Sequence, residues 1–346
     1  MFILKPQFSS TLHISSTFIF LLPSTFYLHP LNSQVQFEKF GLILDISLSM
    51  PMTNGLSPVV SLSEGLPDGF EVRPFPGFDR LQVDAEEILR RLQETGDGNQ
   101  WILLVGLSAP TIEKLGGKEH PLGGVNYRFQ CEGRVGLVKV IPGYSHAIAN
   151  HLIATIDCHV SARTNPPRET KWTSTTMYMV ATTKGRHGDQ TFLPLSRYSP
   201  HLQTCQWPTL VIETGVPQST PRLREHAKWW FTNSKGDVRI VLIIIVSHIK
   251  VRLEKWQLAP PGFPRPLTRE CLDSLRLHPA QVPLMQQVAT TQQPYSAQEI
   301  EVTSRGVVGA PLVLPFSAVY DEPAGPGEGD IFIGAQELSS MMSYLL

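Results

Sequence analysis

The sequence lacks paired cysteines, and this absence bears on two classes of site. Its four cysteines, Cys131, Cys158, Cys205 and Cys271, are far apart, and none forms a Cys-x-x-Cys pair. A tetrahedral zinc site needs closely spaced thiolate or imidazole ligands, so no zinc site is predicted. A disulfide framework is typical of much shorter secreted chains. We therefore expect a reducing, intracellular compartment, either the cytoplasm or the nucleus.

The sequence also lacks a basic excess and a long apolar run. Its 29 Lys and Arg residues are balanced by 30 Asp and Glu, which leaves a net charge of −1. An obligate nucleic-acid binder is usually basic, although a local basic groove remains compatible with this total. The apolar stretches 16–28 and 240–246 are too short to span a bilayer, so no membrane partner is expected. The first resembles a weak signal sequence interrupted by Pro23.

The order of predicted elements favours an α/β or α+β fold, in which helices flank a mixed sheet. Helices are predicted over 84–96, 145–160 and 219–232, with Asp84, Ser145 and Thr220 as N-caps. Strands are predicted over 101–107, 136–141, 175–181, 189–194, 209–214, 238–246 and 249–257. We divide the chain into a poorly ordered extension (1–80), a helix and strand lead-in (81–123), a main domain (124–258) and a Pro-rich C-terminal extension that packs on it (259–346).

Three side chains of the main domain suggest a catalytic site. Asp189 begins a short strand, Glu213 ends the strong strand that follows, and Lys228 lies fifteen residues later on the next helix. Two carboxylates on adjacent strands can share Mg²⁺, and the carbonyl of Thr214 would add a ligand. An ammonium beside them can stabilise the charge that develops during phosphoryl chemistry. The alternative is that all three are ordinary solvated or turn residues.

The segments around these residues resemble a known family. The stretches "CEGRVGLVKVIPGYSHAIANHL", "GDQTFLP", "PTLVIETGVPQS" and "LREHAKWWFTNSKGDV" follow one another in the order of its motifs. They are similar to the restriction endonuclease domain family of the PD-(D/E)XK nuclease superfamily, in the branch whose lysine has moved to the helix. The resemblance covers about residues 124–258 and implies a restriction-endonuclease-like core.

The resemblance implies a Mg²⁺-dependent endonuclease that hydrolyses nucleic-acid phosphodiester bonds, with DNA as the expected partner. Asp189, Glu213 and Lys228 would be catalytic, and Asp189, Glu213 and Thr214 would bind the metal. Thr209 stands where the related pattern has an acid. Together with the near-neutral charge, it favours the alternative, a catalytically inactive nuclease fold that acts as an interaction module. A homodimer is compatible with either reading.

Other residues of the main domain are candidates for binding or catalysis. Lys184 and Arg186 precede Asp189 and could meet a phosphate backbone, and Trp229 could stack on a base. Surface or core roles are the alternatives for these three. The stretch "GYSHA" around Ser145 faintly resembles a nucleophile elbow, which would indicate a small-molecule hydrolase. A helix cap explains Ser145 better.

Overall fold

The computed structural model describes residues 57–162, 170–174, 176–198, 206–277 and 290–345, together with the backbone of two short N-terminal strands. The helices of this part are α1 (Pro58–Ser63), α2 (Phe78–Thr95), α3 (Ala109–Gly116), α4 (Gly143–Ser161), α5 (Thr220–Asn233), α6 (Arg269–Leu277), α7 (Phe316–Tyr320) and α8 (Ala335–Ser339). The predicted mixed α/β fold is confirmed. Within these ranges no helix combines the length and apolarity needed to cross a bilayer.

The strands form two large sheets and two small ribbons. Their bounds are β1 (His29–Leu31), β2 (Gln34–Gln36), β3 (Val72–Pro74), β4 (Trp101–Val105), β5 (Tyr127–Glu132), β6 (Val135–Val140), β7 (Trp172–Thr173), β8 (Met177–Ala181), β9 (Lys184–His187), β10 (Gln190–Phe192), β11 (Leu210–Gly215), β12 (Ile240–Ser247), β13 (Lys250–Leu258), β14 (Pro294–Thr303), β15 (Gly306–Val308), β16 (Leu312–Leu314) and β17 (Ile331–Ile333). The ribbons are β1–β2 and β16–β17.

The six-stranded sheet has the order β3-β4-β6-β5-β9-β8, and the seven-stranded sheet has the order β15-β14-β13-β12-β11-β10-β7. Pairing is parallel for β3 with β4 and for β11 with β12, and antiparallel elsewhere in both sheets. The chain passes from one sheet to the other between β9 and β10, through Gly188 and Asp189 alone. The backbone therefore changes sheets beside a predicted site residue.

Helices α4 and α5 cover opposite faces of the seven-stranded sheet. Ile148 and Leu152 of α4 pack with Ile212 of β11 in one apolar cluster, whereas Leu223 and Trp230 of α5 pack with Val211 in another. Because neighbouring residues of a strand point to opposite faces, β11 needs an apolar residue at almost every position. Its run "LVI" meets that need, and Glu213 is the polar exception on the α5 face.

Several predictions of local structure change at this level. Helix α2 begins at Phe78, so Asp84 lies inside it and pairs with Arg73 at 2.7 Å instead of capping it. Helix α4 begins at Gly143 after Pro142, so Ser145 is not its N-cap either. In both cases the apolar periodicity located the helix correctly. The helix begins earlier than predicted, because residues before the proposed cap also have helical backbone.

The predicted division of the chain also differs from the observed sheets. Strand β4 lies between β3 and β6, so residues 101–105 share a sheet with the segment that begins at 124. Residues 57–80 contain α1, β3 and the start of α2, contrary to the prediction of an irregular extension. The rest of that extension, with the apolar stretch 16–28, lies outside the described residues apart from the β1–β2 ribbon. At the C-terminal end, α7, α8 and β17 pack against the α4 cluster.

Candidate active site

Asp189 and Glu213 come together where the chain changes sheets. Asp189 directly precedes β10, whose Gln190 pairs with Ile212 on β11, the residue before Glu213. Both carboxylates are buried, with 3% of Asp189 and 1% of Glu213 exposed. The structure thus brings together the two carboxylates that the sequence singled out. Unpaired charges at this depth would be very unfavourable, so the groups that pair with the two carboxylates determine what the site can do.

The lysine beside the carboxylates is Lys139, not Lys228. Lys139 Nζ lies 2.7 Å from Asp189 Oδ2 and 3.4 Å from Glu213 Oε2, and 2% of the residue is exposed. It comes from β6 of the other sheet, between Val138 and Val140, which point into the core beneath α2. Strand alternation directs Lys139 to the opposite face, toward the carboxylates.

The prediction that Lys228 reaches the carboxylates is wrong. Lys228 Nζ pairs instead with Glu225 Oε1 at 2.6 Å, and half of the Lys228 side chain is exposed. The buried face of α5 carries Arg222, His226 and Trp230, four residues apart. A helix turns about 100° per residue, so a residue two positions away from both His226 and Trp230 projects from the opposite side of α5. Lys228 holds that position and therefore points away from the buried face.

Asp189 is held by Thr214. The backbone N–H and the hydroxyl of Thr214 both donate to Asp189 Oδ2, at 2.5 and 2.7 Å. Within the described ranges, Asp189 Oδ1 has no hydrogen-bond partner, and Arg128 Nε lies 3.7 Å from it. Thr214, predicted as a metal ligand through its carbonyl, therefore orients Asp189 through its N–H and hydroxyl. One buried carboxylate oxygen remains available to a further ligand.

Glu213 accepts two strong hydrogen bonds at one oxygen. Arg186 Nη2 and Trp230 Nε1 each donate to Glu213 Oε1 at 2.8 Å. Arg186 Nη2 also lies 2.5 Å from His226 Nδ1. Burial, together with Arg186 and Arg222, lowers the pKa of His226 well below its ordinary value, so the ring is neutral. Nδ1 then accepts from Arg186, and its 3.4 Å approach to Glu213 Oε2 is a contact, not a hydrogen bond.

The three residues proposed for nucleic-acid binding have different environments. Arg186 is 2% exposed and lies 5.3 Å from the ring centroids of Trp229 and Trp230, so the prediction that it meets a phosphate backbone is wrong. Trp229 is half-buried in an aromatic cluster that includes Trp207. Lys184 is one-third exposed and pairs with Glu132 at 3.1 Å. Lys184 and Trp229 keep some accessible surface.

Further basic groups surround the carboxylates. Arg128 donates to the carbonyls of Gly188 and Asp189, and Arg222 donates to Gln130 and to backbone carbonyls near α1. His146, at the start of α4, lies within electrostatic reach of Arg128 and Asp189, and burial followed by Arg128 lowers its pKa. Arg128, Lys139 and Arg186 form ion pairs with Asp189 or Glu213, so three cationic side chains face two carboxylates, and this positive excess favours an anionic ligand.

Lys139 was not among the predicted site residues and Arg186 was predicted to lie at the surface, although the sequence carries a signal for Lys139. The strand "VGLVKV" is apolar except for one lysine, and every residue in it is buried. A lysine inside a fully buried strand must either pair with an acidic side chain or have a lowered pKa. Such a lysine is therefore a candidate site residue on this ground alone. By contrast, the burial of Arg186 depends on the packing of α5 over β9 and has no local signal.

The arrangement partly fits a divalent cation. No group of three or more His, Cys, Asp or Glu residues that could hold a metal ion occurs in the described part of the chain. The fit depends instead on Asp189 Oδ1, which has no hydrogen-bond partner among the described residues and lies 3.7 Å from Arg128 Nε. Mg²⁺ keeps several waters and needs only one or two protein carboxylates. Ser145, from the alternative hydrolase motif, is fully buried, and its hydroxyl has no hydrogen-bond partner among the described residues, so no base activates it there.

Comparisons with known proteins identify no relative: no family model, no curated protein and no solved structure matches this chain.

Proposed function

We propose that this protein is a divalent-metal-dependent phosphodiesterase of the endonuclease type, acting on nucleic acid and most readily on DNA. One observation carries the proposal: carboxylates from neighbouring strands, Asp189 and Glu213, converge on a single buried ammonium, that of Lys139. Carboxylates can hold a metal ion that activates a water, and an ammonium beside them can stabilise the charge that develops on a phosphoryl group. The resemblance to the PD-(D/E)XK nucleases supports the roles of Asp189 and Glu213, whereas the role of Lys139 is supported by its contacts alone.

The roles follow from the contacts. Asp189 and Glu213 would hold Mg²⁺, which when bound supplies Lewis-acid chemistry and lowers the pKa of a bound water. Thr214 fixes the orientation of Asp189, and Arg186 with Trp230 fixes Glu213. The Lys139 ammonium would stabilise negative charge that develops on a phosphoryl oxygen.

The test is cleavage of single- and double-stranded DNA in the presence of Mg²⁺ or Mn²⁺. We expect Asp189→Asn and Glu213→Gln to abolish cleavage, because each removes one metal-binding charge while keeping the side-chain shape. Lys139→Met should reduce the rate at least a hundredfold, about the loss seen when one electrostatic stabiliser is removed. Lys228→Met is the matched control and should leave the rate unchanged.

Each variant is first compared with the parent protein by circular dichroism, so that loss of activity is separated from unfolding. Cleavage that survives in folded Asp189→Asn or Glu213→Gln would refute the assignment of the carboxylates. A loss in Lys228→Met with full activity in Lys139→Met would refute the assignment of the lysine.

A catalytically inactive nuclease fold that serves as an interaction module is the second candidate. Two observations favour it: Glu213 is already neutralised by Arg186, and Thr209, where the related pattern has an acid, donates its hydroxyl to the Val319 carbonyl. Under this reading the cluster joins the two sheets. The unmodified protein would then cleave no DNA, and millimolar Mg²⁺ would leave its melting temperature unchanged.

A further inference from the structure

A cavity of about 560 Å³ lies on the face of the seven-stranded sheet opposite Glu213. On β13, Glu254 pairs with Arg224 of α5, the helix that covers Glu213. Lys255 is the next residue and points to the opposite face of the sheet, where its side chain bonds to Val313 of β16. The lining includes Lys255, Arg276, Ala297, Glu299, Val313 and Asp330. The volume is in the range of small-molecule sites, roughly 300–1,000 Å³. None of the candidate active-site residues contributes to it.

Lys255 is the main chemical feature of this cavity. The residue is 5% exposed, and its Nζ donates to the Val313 carbonyl at 2.9 Å. An ammonium group has three N–H donors. Among the described residues, no carboxylate lies within ion-pairing distance of Nζ, and Val313 provides its one hydrogen bond. A buried cation with unused donors is stabilised by an acceptor, so the cavity favours an anionic ligand.

The other charges limit what that anion can be. Arg276 is already paired, with its Nη2 at 2.6 Å from Glu299 Oε1. That pair neutralises Glu299, whereas Asp330 adds a negative charge to the lining, so a multiply charged anion such as phosphate would be repelled more strongly than a singly charged one. Ala297 and Val313 add apolar surface that an alkyl group can cover.

We propose that this cavity binds a small organic monocarboxylate, with the carboxylate held by the Lys255 ammonium and the alkyl group against Ala297 and Val313. The site is independent of the phosphodiesterase chemistry proposed above, because the two lie on opposite faces of the sheet. It needs neither a metal nor Asp189.

The binding should depend on pH in a defined direction. Burial lowers the pKa of Lys255 to about 8, and Asp330 opposes the shift. Only the protonated amine attracts a carboxylate, so affinity is full below that pKa and is lost above it. Between about pH 7 and about pH 9 the protonated fraction of such a group falls about tenfold, and the affinity should fall by the same factor.

Isothermal titration calorimetry with butyrate tests the proposal on the full chain. We expect saturable binding at neutral pH, weaker binding of inorganic phosphate, and no binding of butylammonium. Lys255→Met, which has a similar length and no charge, should weaken butyrate binding at least tenfold. Lys250→Met is the control, since Lys250 lies on the same strand but is partly exposed and pairs with Glu301.

Three outcomes would overturn the proposal. They are the absence of butyrate binding to the unmodified protein, equal affinity in Lys255→Met, and phosphate binding tighter than butyrate binding. Should Lys255→Met not fold, the pH series on the unmodified protein decides, because pH-independent affinity excludes a role for the Lys255 ammonium.

Discussion

Replacing Lys139 with methionine should destabilise this protein far more than the same replacement at Lys228. Lys139 Nζ is bonded to Asp189 and lies 3.4 Å from Glu213, and all three residues are at least 97% buried. Methionine has a similar length and no charge, so Lys139→Met leaves two buried carboxylates without the ammonium between them. Removing one partner of a buried ion pair costs about 3–5 kcal/mol.

The control variant, Lys228→Met, shows how much of the loss in the free energy of unfolding comes from burial. Lys228 also pairs with a carboxylate, that of Glu225, at 2.6 Å, but half of its side chain is in solvent. Exposed ion pairs contribute less than about 1 kcal/mol, since water screens the charges and both side chains lose freedom. The two methionine variants therefore differ in environment and not in the chemistry of the substitution.

Urea denaturation followed by circular dichroism gives the free energy of unfolding of each variant. A third variant, Lys139→Met combined with Asp189→Asn, removes one of the two buried negative charges and should recover part of the loss, which a double-mutant cycle would detect as coupling. A loss of less than about 1 kcal/mol in the free energy of unfolding of Lys139→Met, or a loss no larger than that of Lys228→Met, would contradict this expectation.

Two further predictions concern residues next to the site. Burial lowers the pKa of His187 from 6.5 to about 4, so its contribution to stability is complete above about pH 6.5 and is lost as the pH falls toward 4, about 3 kcal/mol in all. In pH-dependent urea denaturation, His187→Gln should remove this dependence, and an unchanged profile would contradict it. At Gly188 an added Cβ would lie 2.7 Å from Thr191 Cγ2 and 3.2 Å from Trp230 Cζ2. Gly188→Ala should therefore cost about 1–3 kcal/mol, whereas a loss within error would show that this junction has free space.

Residues that follow a local pattern were predictable. The run "LVI" is apolar and two of its three residues are β-branched, and it begins β11, the strand on which Glu213 lies. Asp189 could be placed beside Glu213 because a short strand precedes a strong one, and consecutive strands commonly pair. The restriction-endonuclease-like core, the metal and the nucleic-acid partner remain predictions that these patterns favour.

The partners of the two carboxylates could not be predicted from local patterns. Lys139 is 50 residues from Asp189 in the chain, and it reaches the site because the six-stranded sheet packs beside the seven-stranded one. Arg186 is removed from solvent by the tryptophans of α5, which follow it by more than 40 positions. No local sequence pattern indicates that Lys139 or Arg186 lies close to the carboxylates.

Local patterns located the main helices and strands around the site and its two carboxylates, because apolar periodicity and strand ends are local properties. Which cation neutralises the carboxylates depends on the tertiary structure. The rotation of α5 turns Lys228 to solvent, and the alternation of β6 turns Lys139 inward, so a choice between two lysines of equal chemistry depends on the direction in which each backbone element projects its side chains.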